Sequence, residues 1–222
     1  MAERQNNYQI QVMQAKRRFL TYDQQELIAR CGLQFDNDYL HVTMLSEPYR
    51  IHRLTGDMER QYHGSWVDGN SFNEVMTILD WLCDSRPDRH ITGRWINVVT
   101  HGYAFHSNLQ EKENDPDAQL FDQNLGAFIA ACQKLKGEKL PGGDIGYAIE
   151  LFDGLRIFVQ LWHGDDEFSP RLRCLWDENT NRYLRYETTW YTTALLMQRI
   201  KEKMQEVKND QKIISRRESQ GL

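Results

Sequence analysis

The chain has 222 residues, 40% of them hydrophobic and 11% aromatic, with a formal net charge of −5. That is enough apolar material for a sizeable core, and it excludes wholesale disorder. The mild acidity argues against a nucleic-acid partner, whose recognition needs a basic face. No apolar run approaches the roughly 20 residues that span a bilayer, and Met1 to Tyr8 lacks the apolar stretch of a secretory signal. The reading is a cytoplasmic protein without a membrane segment.

In chain order, Tyr8, Val12, Ala15 and Phe19 recur at helical spacing, with Arg17 and Arg18 late in the run, where cations suit a helix C-terminus. A second short helix is expected over Tyr22 to Cys31, capped by Thr21 and stopped by Gly32. Three β-type segments follow, Tyr39–Leu45, Tyr49–Leu54 and Met58–Gly64, punctuated as a meander by Glu47-Pro48 and Gly56-Asp57. Phe72, Val75, Met76, Leu79, Leu82 and Cys83 give the clearest amphipathic helix, opened by Asn70 or Ser71.

Arg94 to Thr100 reads as a strand, and the acid-rich Glu111 to Asp122 as a loop entering a helix. That helix carries Phe121, Leu125, Phe128, Cys132 and Leu135 on one face. Ile145–Phe152 and Leu155–Trp162 are joined by Asp153-Gly154, the strongest two-residue hairpin signal in the chain, and their apolar character places them at the centre of the sheet. Leu172, Cys174 and Trp176 alternate on a further strand. The last helix aligns Trp190, Met197, Ile200, Met204 and Val207. The class is α+β, an antiparallel sheet made of an N-terminal meander and a C-terminal hairpin with packed helices. Residues 1–207 are taken as one domain and 208–222 as a polar, frayed tail.

The four cysteines, Cys31, Cys83, Cys132 and Cys174, are scattered without a C-x-x-C, and each suits a packed position better than a nucleophile or a zinc ligand. His41, His52 and His63 recur every eleven residues. With a turn near Glu47, His52 falls opposite Val42, so His41 and His52 face apart and form no metal site. His101 and His106 flank a glycine-and-aromatic loop compatible with a ligand. Asp165, Asp166 and Glu167 cluster at one turn and Asp177 and Glu178 at the next; brought together they would attract a cation or a basic partner, although acids also favour turns for local hydrogen bonding. Trp66 and Trp95 lie in loop-like or edge contexts, where exposed aromatics mark binding surfaces. No nucleophile elbow, phosphate loop or metalloprotease motif is present, and no cofactor signature is read.

The Trp162-x-Gly164-Asp165-x-Glu167-Phe168-x-Pro170 turn, the Trp176-Asp177 pair, Leu184-x-x-Glu187, Gly143-Asp144 and Gly93-x-Trp95 together resemble the domain-of-unknown-function family numbered three-seven-eight-six. The likeness covers residues 15 to 205. It implies a setting in anaerobic bacteria and archaea, with corrinoid or one-carbon metabolism and a corrinoid or iron–sulfur protein as partner. Relatives with a four-cysteine iron–sulfur module differ from this chain, which has none. Residues and resemblance lead to a cytoplasmic binding or accessory domain that engages a protein partner through aromatics such as Trp66 and Trp95. The alternative is an enzyme assembled from distant residues, with His101 or His106 as acid–base and Asp165, Asp166 and Glu167 as orienting groups.

Overall fold

The computed structural model describes residues 2–97 and 115–219. The described residues form two antiparallel five-stranded sheets and six α-helices, which is the α+β class. The chain divides into two compact units. The first comprises Met1–Ile96, Glu150–Leu155 and Asp177–Leu195, and the second Asn97–Ile149, Arg156–Trp176 and Leu196–Leu222.

The first unit opens with α1 (Ala2–Phe19) and α2 (Gln24–Cys31). Asp23 rather than Thr21 caps α2, accepting from the Gln25 and Glu26 amides, because the Thr21 hydroxyl is turned back to donate to the Arg18 carbonyl. Gly32, at φ 62°, closes α2 in the left-handed conformation a glycine adopts without a Cβ penalty. A meander follows: β1 (Gln34–Phe35), β2 (Tyr39–Met44), β3 (Glu47–His52), β4 (Met58–Tyr62) and β5 (Ser65–Asp68), in spatial order. Leu40, Val42, Met44, Tyr49, Ile51 and Met58 are buried along one face, the period-2 pattern of a sheet covered on one side.

The β2–β3 turn is Leu45-Ser46, with φ 52° and 64°, not the Glu47-Pro48 position expected from composition. Two positive φ values are the mark of a type I′ hairpin, which usually carries Asn or Gly. Here burial offsets the strain: Leu45 is fully buried and its amide donates to the Leu151 carbonyl at 2.9 Å. The consequence is a corrected register. His52 lies opposite Tyr39 and His41 opposite Arg50, so the two imidazoles share a face instead of facing apart.

Against this unit's core lies α3 (Phe72–Asp84), with Val75, Ile78, Leu79 and Leu82 buried and Trp81 stacked on Phe152 at 4.3 Å. Arg18 of α1 grips Asp84 with both guanidinium nitrogens and sits 3.6 Å from Asp80. Thr188 donates to Asp80 at 2.7 Å. Burial pushes the Asp80 carboxyl above the usual carboxylate range, only partly opposed by the Thr188 hydrogen bond and the arginines. A carboxyl raised in the folded state holds its proton to higher pH than in the unfolded chain, so its folded form gains stability as pH falls towards about 4 and loses it as pH rises. Asp80→Asn removes that slope. The variant is therefore expected to compare best with wild type at neutral pH and to lose ground at pH about 4.5. Denaturant midpoints at the two pH values test this, and a gap moving in the variant's favour in acid would show the arginines, not burial, in control.

The second unit carries α4 (Pro116–Gln123), α5 (Leu125–Lys134), β7 (Glu138–Lys139), β8 (Ile145–Phe152), β9 (Leu155–Trp162) and β10 (Arg171–Asp177), several of whose ends belong to the first. The second sheet runs β7-β8-β9-β10, and its fifth strand is the two-residue β6 (Trp95–Ile96). The hairpin thus lies at the centre of its sheet, as its apolar sequence requires, with β9 in the middle and almost continuously buried. The single helix expected over Phe121–Leu135 is two, broken at Asn124, whose φ of −126° lies outside the helical range. Phe121 and Phe128 still stack, 4.8 Å apart. The last helix, α6 (Tyr186–Ser219), continues past Lys208 to the end of the described residues, with Ile200, Met204 and Val207 buried.

Candidate functional site

The outward face of the meander is where unspent chemistry collects. Antiparallel register aligns Gln34, His41, Arg50, Glu59 and Asp68 as one row across all five strands. Tyr39 lies opposite His52, and Gln61 opposite Trp66, in the flanking rows. Arg50 is the hub. Its guanidinium carbon lies 4.3 Å from the centre of the Tyr39 ring and 4.4 Å from that of Trp66, and its Nε donates to Glu59 at 2.6 Å. Two aromatic rings therefore clasp one guanidinium that also contacts a carboxylate, and each ring contributes cation–π attraction.

Beside this clasp is a cavity of about 490 Å³ lined by Tyr39, His52, Asp57, Glu59, Trp66 and Asp68 among others, within the size range of small-ligand sites. Asp57 accepts from the Lys16 ammonium at 2.7 Å, and that bond is the main reason its carboxyl lies below the usual range. Asp68 accepts from the Asn70 amide and side chain at 2.9 and 2.6 Å, and has no cationic partner among the described residues. Asp68 also faces Glu59 directly across the strands, a like-charge placement that costs stability in an antiparallel pair. At the far end of the row Asp36 is held down at about 2, chiefly by His41, whose ring nitrogen is 2.9 Å away, and by the amides of Asp38 and Tyr39. His52 packs edge-on against Tyr39, and its Nδ1 accepts from the Leu54 amide at 3.4 Å.

Of the residues singled out in the sequence, Trp66 enters this site. Trp95 lies apart on β6, half-buried. His101 and His106 lie outside the described residues. Asp165, Asp166 and Glu167 form a self-contained turn: the Asp165 carboxylate accepts from the Glu167 and Phe168 amides at 2.9 and 2.7 Å, which lowers its pKa. Gly164 belongs to that turn because a Cβ there would meet Pro170 at 2.7 Å. Asp177 is buried and accepts from the amides of Thr92, Gly93 and Asn179, so it fastens a loop. Glu178 pairs with Arg94. Among the described residues no group of three His, Cys, Asp or Glu side chains converges on a metal position. Burial pushes the Cys83 and Cys174 thiols up to about 12 and Cys132 higher still, away from nucleophile chemistry.

Sequence reasoning missed Tyr39, Arg50, Glu59 and Asp68, because only the strand register brings them together. It also missed a histidine–carboxylate pair in the second unit. His163 Nδ1 lies 2.5 Å from Asp122 Oδ1, while Asp122 Oδ2 accepts from the Gly164 amide and Asp144 accepts from the His163 amide. Nothing in the spacing of positions 122 and 163 signals that contact.

A family model described as Domain of unknown function (DUF3786) matches residues 23–199. The chain belongs to that family. No curated protein and no solved structure matches it. The glycines, acids and tryptophans singled out after Gly143 are turn and packing positions: Trp176 is fully buried, Leu184 is buried, and Asp165 and Asp177 tie down their loops. The matched span also contains the whole meander from β1 to β5. No described helix is long and apolar enough to cross a membrane.

Proposed function

We propose that this chain is a cytoplasmic binding or accessory domain whose ligand is received on the outward face of the meander sheet, in the cavity beside Tyr39, Arg50 and Trp66. One observation carries the reading: two aromatic rings, on β2 and β5, converge on the same guanidinium at the rim of a cavity of ligand size. Aromatics placed on an open sheet face contribute little to the core and much to an interface. A protein partner, including the corrinoid or iron–sulfur protein that the family resemblance implies, would present a side chain to this cavity. The anaerobic setting is part of the same proposal and rests on the resemblance alone.

The test is a small-molecule and peptide screen followed by amide and indole NMR of the full chain. Hits are expected to shift Tyr39, Arg50 and Trp66 and to lose affinity in Trp66→Leu. Hits confined to residues outside the meander, or none, would overturn the proposal.

A catalytic reading has one observation in its favour. A carboxylate on the Nδ1 side of His163 fixes the imidazole's orientation, as acid–base histidines require. Metabolite turnover by the purified protein, abolished in His163→Gln with the fold intact, would replace binding by catalysis as its role.

A further inference from the structure

Resting on the proposal that the meander face is a binding site, we infer that its ligand class is cationic, a guanidinium or alkylammonium group. The site already displays that chemistry on the protein's own Arg50, held between Tyr39 and Trp66 with Glu59 as counter-ion. The remaining charge is acidic. Of the carboxylates lining the cavity, Asp57 is engaged by Lys16 and Glu59 by Arg50, whereas Asp68 receives only neutral donors from Asn70. Glu59 and Asp68 face one another on adjacent strands of the same face. Arg50 already compensates Glu59, which leaves Asp68 as the member of this pair without a cationic partner among the described residues, and a bound ammonium or guanidinium would supply that counter-ion. Trp66 lines the same cavity, and an aromatic ring favours a cation over an anion.

The chemistry can come from a free amine or from a lysine or arginine side chain of a peptide, and the experiment has an arm for each. Full-length protein is titrated with agmatine, with a short arginine-containing peptide, and with succinate as the anionic control. The readouts are calorimetry and the Trp66 indole N–H resonance. Agmatine or the peptide is expected to bind, more weakly at high salt because the charges are partly exposed, and whichever binds more tightly identifies the source. Asp68→Asn keeps an acceptor for the Asn70 amide while removing the charge, and should weaken binding about two- to fivefold. Trp66→Leu should weaken it about three- to thirtyfold. The two variants act on different elements of the site, so a folding defect in Trp66→Leu leaves Asp68→Asn decisive.

Succinate or neutral screen hits shifting Trp66 while both cations leave it unmoved would overturn the cation assignment and leave the binding face standing. No ligand of any charge shifting Tyr39 or Trp66 would overturn both. Cation binding of unchanged affinity in both variants would place it elsewhere on the molecule and sink the inference.

Discussion

Phe158→Ala is expected to destabilise the protein by about 3–5 kcal/mol, through lost transfer energy and the cavity left where the ring had been. Phe158 sits at the middle of β9, the central strand of the second sheet, and is 4% exposed. Its ring also occupies space that the neighbouring backbone has been shaped to leave open. A Cβ at Gly146 would come within 2.9 Å of the ring, and within 2.6 Å of the carbonyls of Leu140 and Gly142. That fit leaves the chain little freedom to collapse into the hole, which places the cost in the upper part of the range. Asp166→Ala, at an exposed turn position whose local bonds are made by Asp165, should stay within about 0.5 kcal/mol of wild type. Denaturant unfolding of the two variants side by side checks both; equal midpoints for Phe158→Ala and wild type would make β9 peripheral to stability.

The second sheet's hairpin was legible because its signals are local. Asp153-Gly154 supplies two positive φ values, 51° and 76°, and the flanking apolar runs allow no wet face. The meander was legible as strands and illegible as a surface. Its β2–β3 turn falls on Leu45-Ser46, a pair without glycine or asparagine, stabilised by a tertiary bond from Leu45 to Leu151 that no local rule contains. The expected register, with His52 opposite Val42 rather than Tyr39, is off by three residues, and an odd shift moves every side chain of β3 to the other face. This hid the row from His41 through Arg50 and Glu59 to Asp68, and with it the site. Trp66 was recognisable from sequence as an aromatic in an edge context. Its partners Tyr39 and Arg50, however, are 27 and 16 positions away and acquire meaning only from the register. The acidic turn at Asp165 misled in the opposite direction: its carboxylate is satisfied by the amides of its own loop, the ordinary reason acids collect at turns.

The two faces of the meander treat arginine differently, and this difference yields the other large effect. On the outward face, Arg50 and Glu59 are partly solvated, with side chains 24% and 34% exposed. Arg50→Met should therefore cost at most about 1 kcal/mol, since water screens the pair and replaces what is lost. Against the core, the Arg60 guanidinium is 13% exposed and donates to Glu47, 8% exposed, at 2.9 Å. It also lies 3.7 Å from Glu74, 6% exposed, which accepts from the Tyr49 hydroxyl and from Ser71. Arg60→Met preserves the stem's packing and strips the charge that lies beside these two buried carboxylates. The expected loss is about 3–5 kcal/mol, the range for breaking a buried pair from one side. Adding Glu47→Gln to Arg60→Met should recover part of that loss, because one of the buried charges is then gone. Urea unfolding of the three variants decides the matter. A cost for Arg60→Met no larger than for Arg50→Met, with nothing regained in the double variant, would mean the carboxylates find other partners and the meander is not anchored to α3 through this cluster.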